Sequence, residues 1–468
     1  MEKQPLRDLI VVLPGILGSI LKRGSAEIWA PNAGCAYRAA SGPDALALTD
    51  EPGDPAALAD GVEATGLVPD IHMIPGLWKI DGYTRLVEAI QKTFHTKKAH
   101  ADEDKLANVI LFPYDWRRSN RITAGRLKLA VDRFLPRWRK ETYFKDARLI
   151  LIAHSMGGLI SRHYLDSLGG WKDCRALFTF GAPFRGSLKA VDALANGLRI
   201  PGLIDLSAAV RSMPAVYQLL PRYECVLHEK AYRRVAEIGS LPKIDPVHAS
   251  DALDFYRSID QAVKDRDGKL GYDLFPYAGI HQTTNQSAEL EDGLLRVVGS
   301  RPPVVPDAYE DGDGTVPLVS AIPAELSEKA EYVTYVNERH ASLQSNSTVL
   351  DDLLRRLLAM QVPGLKDVLG AAPAGKGIAL EMQVEDVYLK PEPVNIRFRL
   401  REPVPDAVLT AELQDASTLE KRPIDPVKTD DGWRAGLSAL DPGSYRVEAT
   451  VRAGQGITSI RDVFAVEG

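Results

Sequence analysis

Cysteine is nearly missing. Cys35, Cys174 and Cys225 are the only three in 468 residues. They are widely spaced and odd in number, which excludes a disulfide framework and a cysteine-built zinc site, and reads as free thiols in a reducing compartment. Long apolar runs are missing as well; none reaches the ~18 residues that a membrane-spanning helix needs. The first eight residues, Met1 to Asp8, are too few and too polar to form the apolar region of a signal peptide. These absences together predict a cytoplasmic protein whose contact with a membrane, if it has one, is peripheral. Charge of one sign is also lacking. Lysine and arginine number 57 against 63 aspartates and glutamates, so the net charge of −6 is spread over mixed signs and gives no basic face for a nucleic acid. Internal repeats and low-complexity tracts are absent.

What remains is an ordinary globular composition, with alternating strand-like and helix-like segments from residue 9 to 360. Strands are predicted at 9–13, 108–112, 149–153, 176–180, 272–278 and 332–336. Helices are predicted at 83–94, 123–139, 156–168 and 347–360. That order suits a mostly parallel sheet covered by helices. Two stretches interrupt it. Residues 24–77 are rich in Gly, Pro and Ala and too long for an ordinary connection; residues 188–270 are long and mostly helical. After Met360 the composition shifts. Residues 362–377 read as a linker, and residues 378–468 hold short alternating runs separated by turn signals such as Asp441-Pro442-Gly443-Ser444. Such runs predict an immunoglobulin-like β-sandwich. Because every candidate catalytic residue precedes the linker, a chain ending near Gly370 is expected to fold and act without the sandwich.

The strongest local signal is Leu149-Ile150-Leu151-Ile152-Ala153-His154-Ser155-Met156-Gly157-Gly158. An apolar strand, a turn centred on serine and a helix form the context of a nucleophile elbow, with Ala153 and Gly157 as the small flanking residues. A serine hydroxyl needs a base. In an α/β-hydrolase fold the partners follow in the order serine, acid, histidine. His340, in the loop after the last predicted strand, has the position a base requires. His163 faces away on the helix, and His228 and His248 fall in the second insertion. The acid comes from Glu310-Asp311-Gly312-Asp313-Gly314, where Asp313 is favoured over Asp311 and where the ligand spacing of a calcium loop is missing. An oxyanion hole needs two backbone N–H groups. Met156, after the nucleophile, offers one; Ile16, after the Pro14-Gly15 turn, offers the other. No metal and no cofactor are called for.

These segments resemble the lecithin:cholesterol acyltransferase family, which includes lysosomal-type phospholipases A2. The resemblance rests on Leu13-Pro14-Gly15-Ile16-Leu17-Gly18-Ser19, Pro113-Tyr114-Asp115-Trp116-Arg117, the elbow, Gly181-Ala182-Pro183-Phe184-Arg185-Gly186-Ser187, the Asp313 loop and His340. It implies an α/β-hydrolase fold in which residues 24–77 form a lid and 188–270 a helical cap, with Ser155, Asp313 and His340 as triad. It places Trp29 and Trp78 at the lid, where they would meet a lipid substrate, and makes Asp115 and Arg117 an ion pair bracing the site. The implied reaction is acyl transfer from a glycerolipid ester, to water as in a phospholipase A or to a lipid alcohol as in an O-acyltransferase, with transient contact at a membrane. A lipase or carboxylesterase of broad specificity is the alternative, and an inactive protein binding through its sandwich a more distant one. The family pattern omits the sandwich, whose partner stays open between a protein and a membrane.

Overall fold

The computed structural model describes residues 2–30, 43–69, 71–74, 78–200, 204–327, 332–361, 378–438, 440–454 and 456–467. The linker expected at 362–377 lies outside them, as does Cys35.

At the centre is a parallel sheet of seven strands. In chain order these are β1 (Leu9–Leu13), β2 (Lys98–His100), β3 (Val109–Leu111), β4 (Leu149–His154), β5 (Cys174–Phe180), β6 (Asp273–Gly279) and β7 (Thr334–Val336). Across the sheet the order is β7-β6-β5-β4-β1-β3-β2. β1 and β4 are buried at every residue, as strands covered on both faces must be, and their unbroken Leu, Ile and Val runs reflect that. The flanking helices include α1 (Thr84–Thr93), α2 (Asn120–Glu141), α3 (Met156–Arg162), α4 (Leu188–Ala195), α5 (Pro246–Lys264) and α6 (Ser347–Gln361). The chain runs from β1 outward to β3, then returns to place β4 on the other side of β1. At such a reversal of strand order the carboxyl ends of neighbouring strands part and leave a crevice. Residues 14–18, following β1, and Ser155, following β4, both lie there.

The two insertions are more regular than their composition suggests. Within 24–77, Ala26–Trp29 and Val62–Leu67 pair with Ser19–Arg23 in a three-stranded antiparallel sheet, and Ile71–Ile74 pairs with Trp78–Asp81. The second insertion contains α4 and α5, yet it also holds strands. Val226–His228 and Ala231–Arg233 join Ser287–Glu291 and Leu294–Val298 in a four-stranded sheet. Cap residues therefore continue past β6, which a helical reading of 188–270 misses.

The C-terminal region is a β-sandwich. One sheet has the order β8-β10-β14-β13, built from β8 (Leu380–Gln383), β10 (Val394–Leu400), β13 (Val427–Thr429) and β14 (Gly432–Leu437). The other has the order β9-β16-β15-β11-β12, built from β9 (Val387–Leu389), β11 (Val408–Asp415), β12 (Lys421–Ile424), β15 (Gly443–Ala453) and β16 (Gly456–Glu467). Its core is separate, with Met382, Ile396, Phe398, Val447 and Phe464 buried between the sheets.

A linker alone does not describe how the two parts meet. Ala341 packs with Val463 and Ala465 of β16. Asp81 pairs with Arg446 of β15, and the Asp81 carboxylate also accepts from Ser345 Oγ at 2.6 Å. The α/β part thus presents a buried contact to the sandwich, which counts against simple detachment near Gly370. No described helix is long and apolar enough to cross a membrane.

Candidate active site

The turn after β4 is strained as a nucleophile elbow must be. Ser155 has φ 49° and ψ −124°, a conformation unfavourable to a residue with a side chain, and it lifts the hydroxyl above the sheet. The surrounding packing holds it there: Ser155 N–H donates to Phe180 O at 2.9 Å. Glycine is required at 157 by close approach, since a Cβ would stand 2.5 Å from the Pro14 carbonyl oxygen. This contact seats the loop after β1 directly on the elbow.

Three loops bring the expected acid and base to the serine. His340 Nε2 lies 2.9 Å from Ser155 Oγ, and His340 Nδ1 lies 2.8 Å from Asp313 Oδ2. A carboxylate only accepts, so Nδ1 carries the proton and Nε2 offers its lone pair to the serine hydroxyl. The other oxygen, Asp313 Oδ1, accepts from Thr315 N–H at 2.9 Å and Val316 N–H at 2.7 Å. His340 N–H donates to the Asp313 carbonyl at 2.9 Å, tying the two loops by their backbones too. All three side chains are buried. Gly181 leaves the room: a Cβ there would come within 2.8 Å of His340 Nδ1 and 2.9 Å of Asp313 Oδ2. Asp311 points elsewhere and pairs with Arg401 of the sandwich.

Ile16 and Met156, the expected oxyanion donors, flank this serine. Met156 is the first residue of α3, where N–H groups lack an intrahelical acceptor. Ile16 is buried in the loop after β1. That loop is braced by groups the sequence reading passed over. Gly15 N–H donates to Tyr83 Oη at 2.8 Å, Tyr83 Oη meets His154 Nδ1 at 3.0 Å, and His154 Nε2 meets the His340 carbonyl at 3.1 Å. The carbonyl at one end accepts, so Nε2 is the donor, Nδ1 accepts, and the tyrosine O–H donates to it. Tyr114 Oη adds a bond to the Pro14 carbonyl at 2.8 Å. One chain of hydrogen bonds, with every proton assigned, thus runs from the oxyanion loop to the backbone of the base.

This chain requires neutral His154. Burial lowers its pKa from 6.5 to about 3, with the neighbouring His340 acting in the same direction. The stability this ring contributes is complete above pH 6.5 and is lost as pH falls from 6.5 towards 3, by about 1.4 kcal/mol per pH unit. His154→Gln removes the titrating ring. Urea unfolding of the wild type should lose roughly 2–3 kcal/mol more than the variant between about pH 6.5 and 4.5. Equal slopes in the two proteins would mean that His154 is not held neutral.

Residues 83–264 carry the lecithin:cholesterol acyltransferase family pattern. The matched span holds Pro113 to Arg117, the elbow and Gly181 to Ser187 of the lecithin:cholesterol acyltransferase resemblance; the loop after β1, Asp313 and His340 lie outside it. Among solved structures, the mature form of the Bacillus licheniformis lipase BlEst2 is similar at 13% identity and TM-score 0.34, over 76% of this chain and 94% of that one. Its propeptide form is similar at 12% identity and TM-score 0.35, over 99% of this chain and 94% of that one. The PKD domain of human KIAA0319 is similar at 13% identity and TM-score 0.15, over 21% of this chain and 91% of that domain. No curated protein matches by sequence.

The remaining expectations from the lecithin:cholesterol acyltransferase resemblance divide. Asp115 and Arg117 form the expected pair, bidentate at 2.9 Å (Nε to Oδ1) and 2.7 Å (Nη2 to Oδ2). Arg117 Nη1 reaches further, to the Ala47 carbonyl at 3.2 Å and to Asp60 at 3.3 Å, and so anchors the first insertion. Trp29, the expected lid residue, is packed against the loop after β1 in this structure. It ends a paired strand, is buried, and donates from Nε1 to the Leu17 carbonyl at 2.9 Å. Its ring stands edge-on to Trp116 at 5.7 Å between centroids. In this arrangement it supports the loop after β1. Trp29→Ser should therefore cost about 3–5 kcal/mol of stability, and lower turnover of vesicles and of a soluble short-chain ester alike. A loss confined to vesicles would restore the lid role. Trp78 ends up in the hairpin with Ile71–Ile74, and its side chain lies outside the described residues.

Proposed function

We propose that the protein is a serine-dependent enzyme that transfers acyl groups from glycerolipid esters, through an acyl-enzyme on Ser155, to water as a phospholipase A or lipase or to a lipid alcohol as an O-acyltransferase. The observation that carries this reading is the 2.9 Å approach of His340 Nε2 to a serine hydroxyl on a strained elbow, with Asp313 on the far side of the same ring. The similarity of residues 83–264 to lecithin:cholesterol acyltransferase supports a lipid ester over other acyl donors.

The residues allow each step. His340 Nε2 takes the Ser155 proton as Oγ bonds to the ester carbonyl carbon. Asp313 stabilises the imidazolium and keeps its Nδ1 proton in place. The carbonyl oxygen, now anionic, is stabilised by the backbone N–H groups of Ile16 and Met156. As the tetrahedral centre collapses, the C–O bond to the alcohol breaks and His340 returns the proton to that oxygen. Water or a lipid alcohol then gives its proton to His340 and attacks the acyl carbon, and Ser155 leaves with the proton restored.

Two assays test this together. A fluorophosphonate should label Ser155, located by mass spectrometry of the digested protein. Phosphatidylcholine vesicles should yield free fatty acid, or acylated alcohol when a lipid alcohol is supplied. Turnover restricted to nitrophenyl esters of short acids would replace the lipid reading with a carboxylesterase, and an unlabelled Ser155 would end the serine mechanism.

A further inference from the structure

Residues beside Asp313 and His340 bond directly to the sandwich. Gln282 is wholly buried beside the acid loop, where its N–H donates to the Gly312 carbonyl at 3.0 Å and its backbone bridges Gly312 and Asp313. Its side chain turns the other way. Nε2 donates to the Leu380 carbonyl at 3.0 Å, and Oε1 accepts from Met382 N–H at 3.3 Å. The amide of one glutamine thus extends the β8 ladder into the hydrolase domain.

The base loop is held from the same strand. Arg339, directly before His340, donates from Nη1 to the Met382 carbonyl at 2.6 Å and pairs through Nε with Asp462 Oδ2 at 2.7 Å. Met382 therefore holds Gln282, beside the acid loop, with its N–H and the base loop with its C=O. Glu338 strengthens the second hold. Its carboxylate accepts from Arg461 N–H of β16 at 2.8 Å, Arg339 N–H at 2.9 Å and Asn346 Nδ2 at 3.0 Å.

We propose that the C-terminal sandwich is a working part of the active site, in which Gln282 and Arg339 are positioning residues that hold the Asp313 and His340 loops at reacting distance from Ser155. The inference rests on the serine mechanism proposed above. Its physical basis is a difference in sensitivity. Buried ion pairs contribute little net stability compared with apolar packing, whereas displacing a catalytic group by about 1 Å can lower a rate about 100-fold. Contacts concentrated on the residues flanking the acid and the base, and on one shared backbone residue, serve geometry better than they serve cohesion.

The test uses the full chain. Gln282→Glu keeps size and keeps an acceptor for Met382 N–H, but sets a carboxylate oxygen against the Leu380 carbonyl. Arg339→Lys is gentler and can reach Asp462 or the Met382 carbonyl but not both. The fluorophosphonate labelling rate of Ser155, and kcat on a soluble short-chain ester, should fall about 10- to 100-fold in Gln282→Glu and less in Arg339→Lys, with KM nearly unchanged. Val451→Ala, in the sandwich's own core, should lower the unfolding temperature and leave kcat and the labelling rate in place. Folded variants that are labelled as fast as the wild type, or faster, overturn the proposal. If wild-type Ser155 itself resists labelling, the serine mechanism fails first and takes this inference with it.

Discussion

Ser155→Ala should lower kcat on a lipid ester by about 10⁴- to 10⁶-fold while leaving the unfolding temperature close to that of the wild type. Alanine keeps the Cβ, so it keeps the strain of φ 49° and changes little in the packing of the elbow. It removes only the oxygen that His340 Nε2 meets at 2.9 Å. His340→Ala should cost a similar factor, and the double variant little more, because serine and histidine act as one unit. Fatty-acid release measured with purified variants checks this. Activity or fluorophosphonate labelling that survives Ser155→Ala would place the nucleophile elsewhere.

The second large effect should come from a single atom. Asp313→Asn should reduce kcat by about 10³- to 10⁴-fold. The structure gives the reason in detail. Asp313 Oδ1 accepts two backbone N–H groups, from Thr315 and Val316, so asparagine will keep its oxygen there. Its NH₂ must then face His340 Nδ1, which can only accept. The imidazole proton moves to Nε2, where it points at Ser155 Oγ, and the ring can no longer take the serine proton. Asp311→Asn is the comparison. That carboxylate pairs with Arg401 away from the ring, so the loss should stay below about tenfold. Comparable losses in the two variants would show that the acid has been misassigned.

Much of this was legible in the sequence, for definite reasons. β1 and β4 are buried throughout and so read as unbroken apolar runs. The order of Ser155, Asp313 and His340 follows from the fold, and His340 could be selected because it lies just past a strand. The preference for Asp313 over Asp311 came from local sequence, and in the structure only Asp313 meets the imidazole. Other features left no local trace. Ser19–Arg23 pairs with Val62–Leu67 across a long, Gly- and Pro-rich segment, and pairing of that kind has no short-range signature. The surroundings of Trp29 have no trace in an irregular stretch, because its partners Leu17 and Trp116 are set by tertiary packing. His154 was visible only as part of the elbow; its bonds to Tyr83 and to the His340 carbonyl join residues far apart in the chain. Gln282 and Arg339 are ordinary loop residues until β8 is placed beside them.

The position of β16 has a consequence for synthesis. It follows every other described strand, and Arg461, Asp462 and Val463 on it meet the residues around His340. A ribosome extending the chain at about 5–20 residues per second makes the elbow and the whole parallel sheet well before this strand. During that interval the growing protein has the Ser155 turn but not the β16 contacts that hold the His340 loop. The contacts that hold the His340 loop should therefore form only after β16 has been made, long after the sheet that carries Ser155.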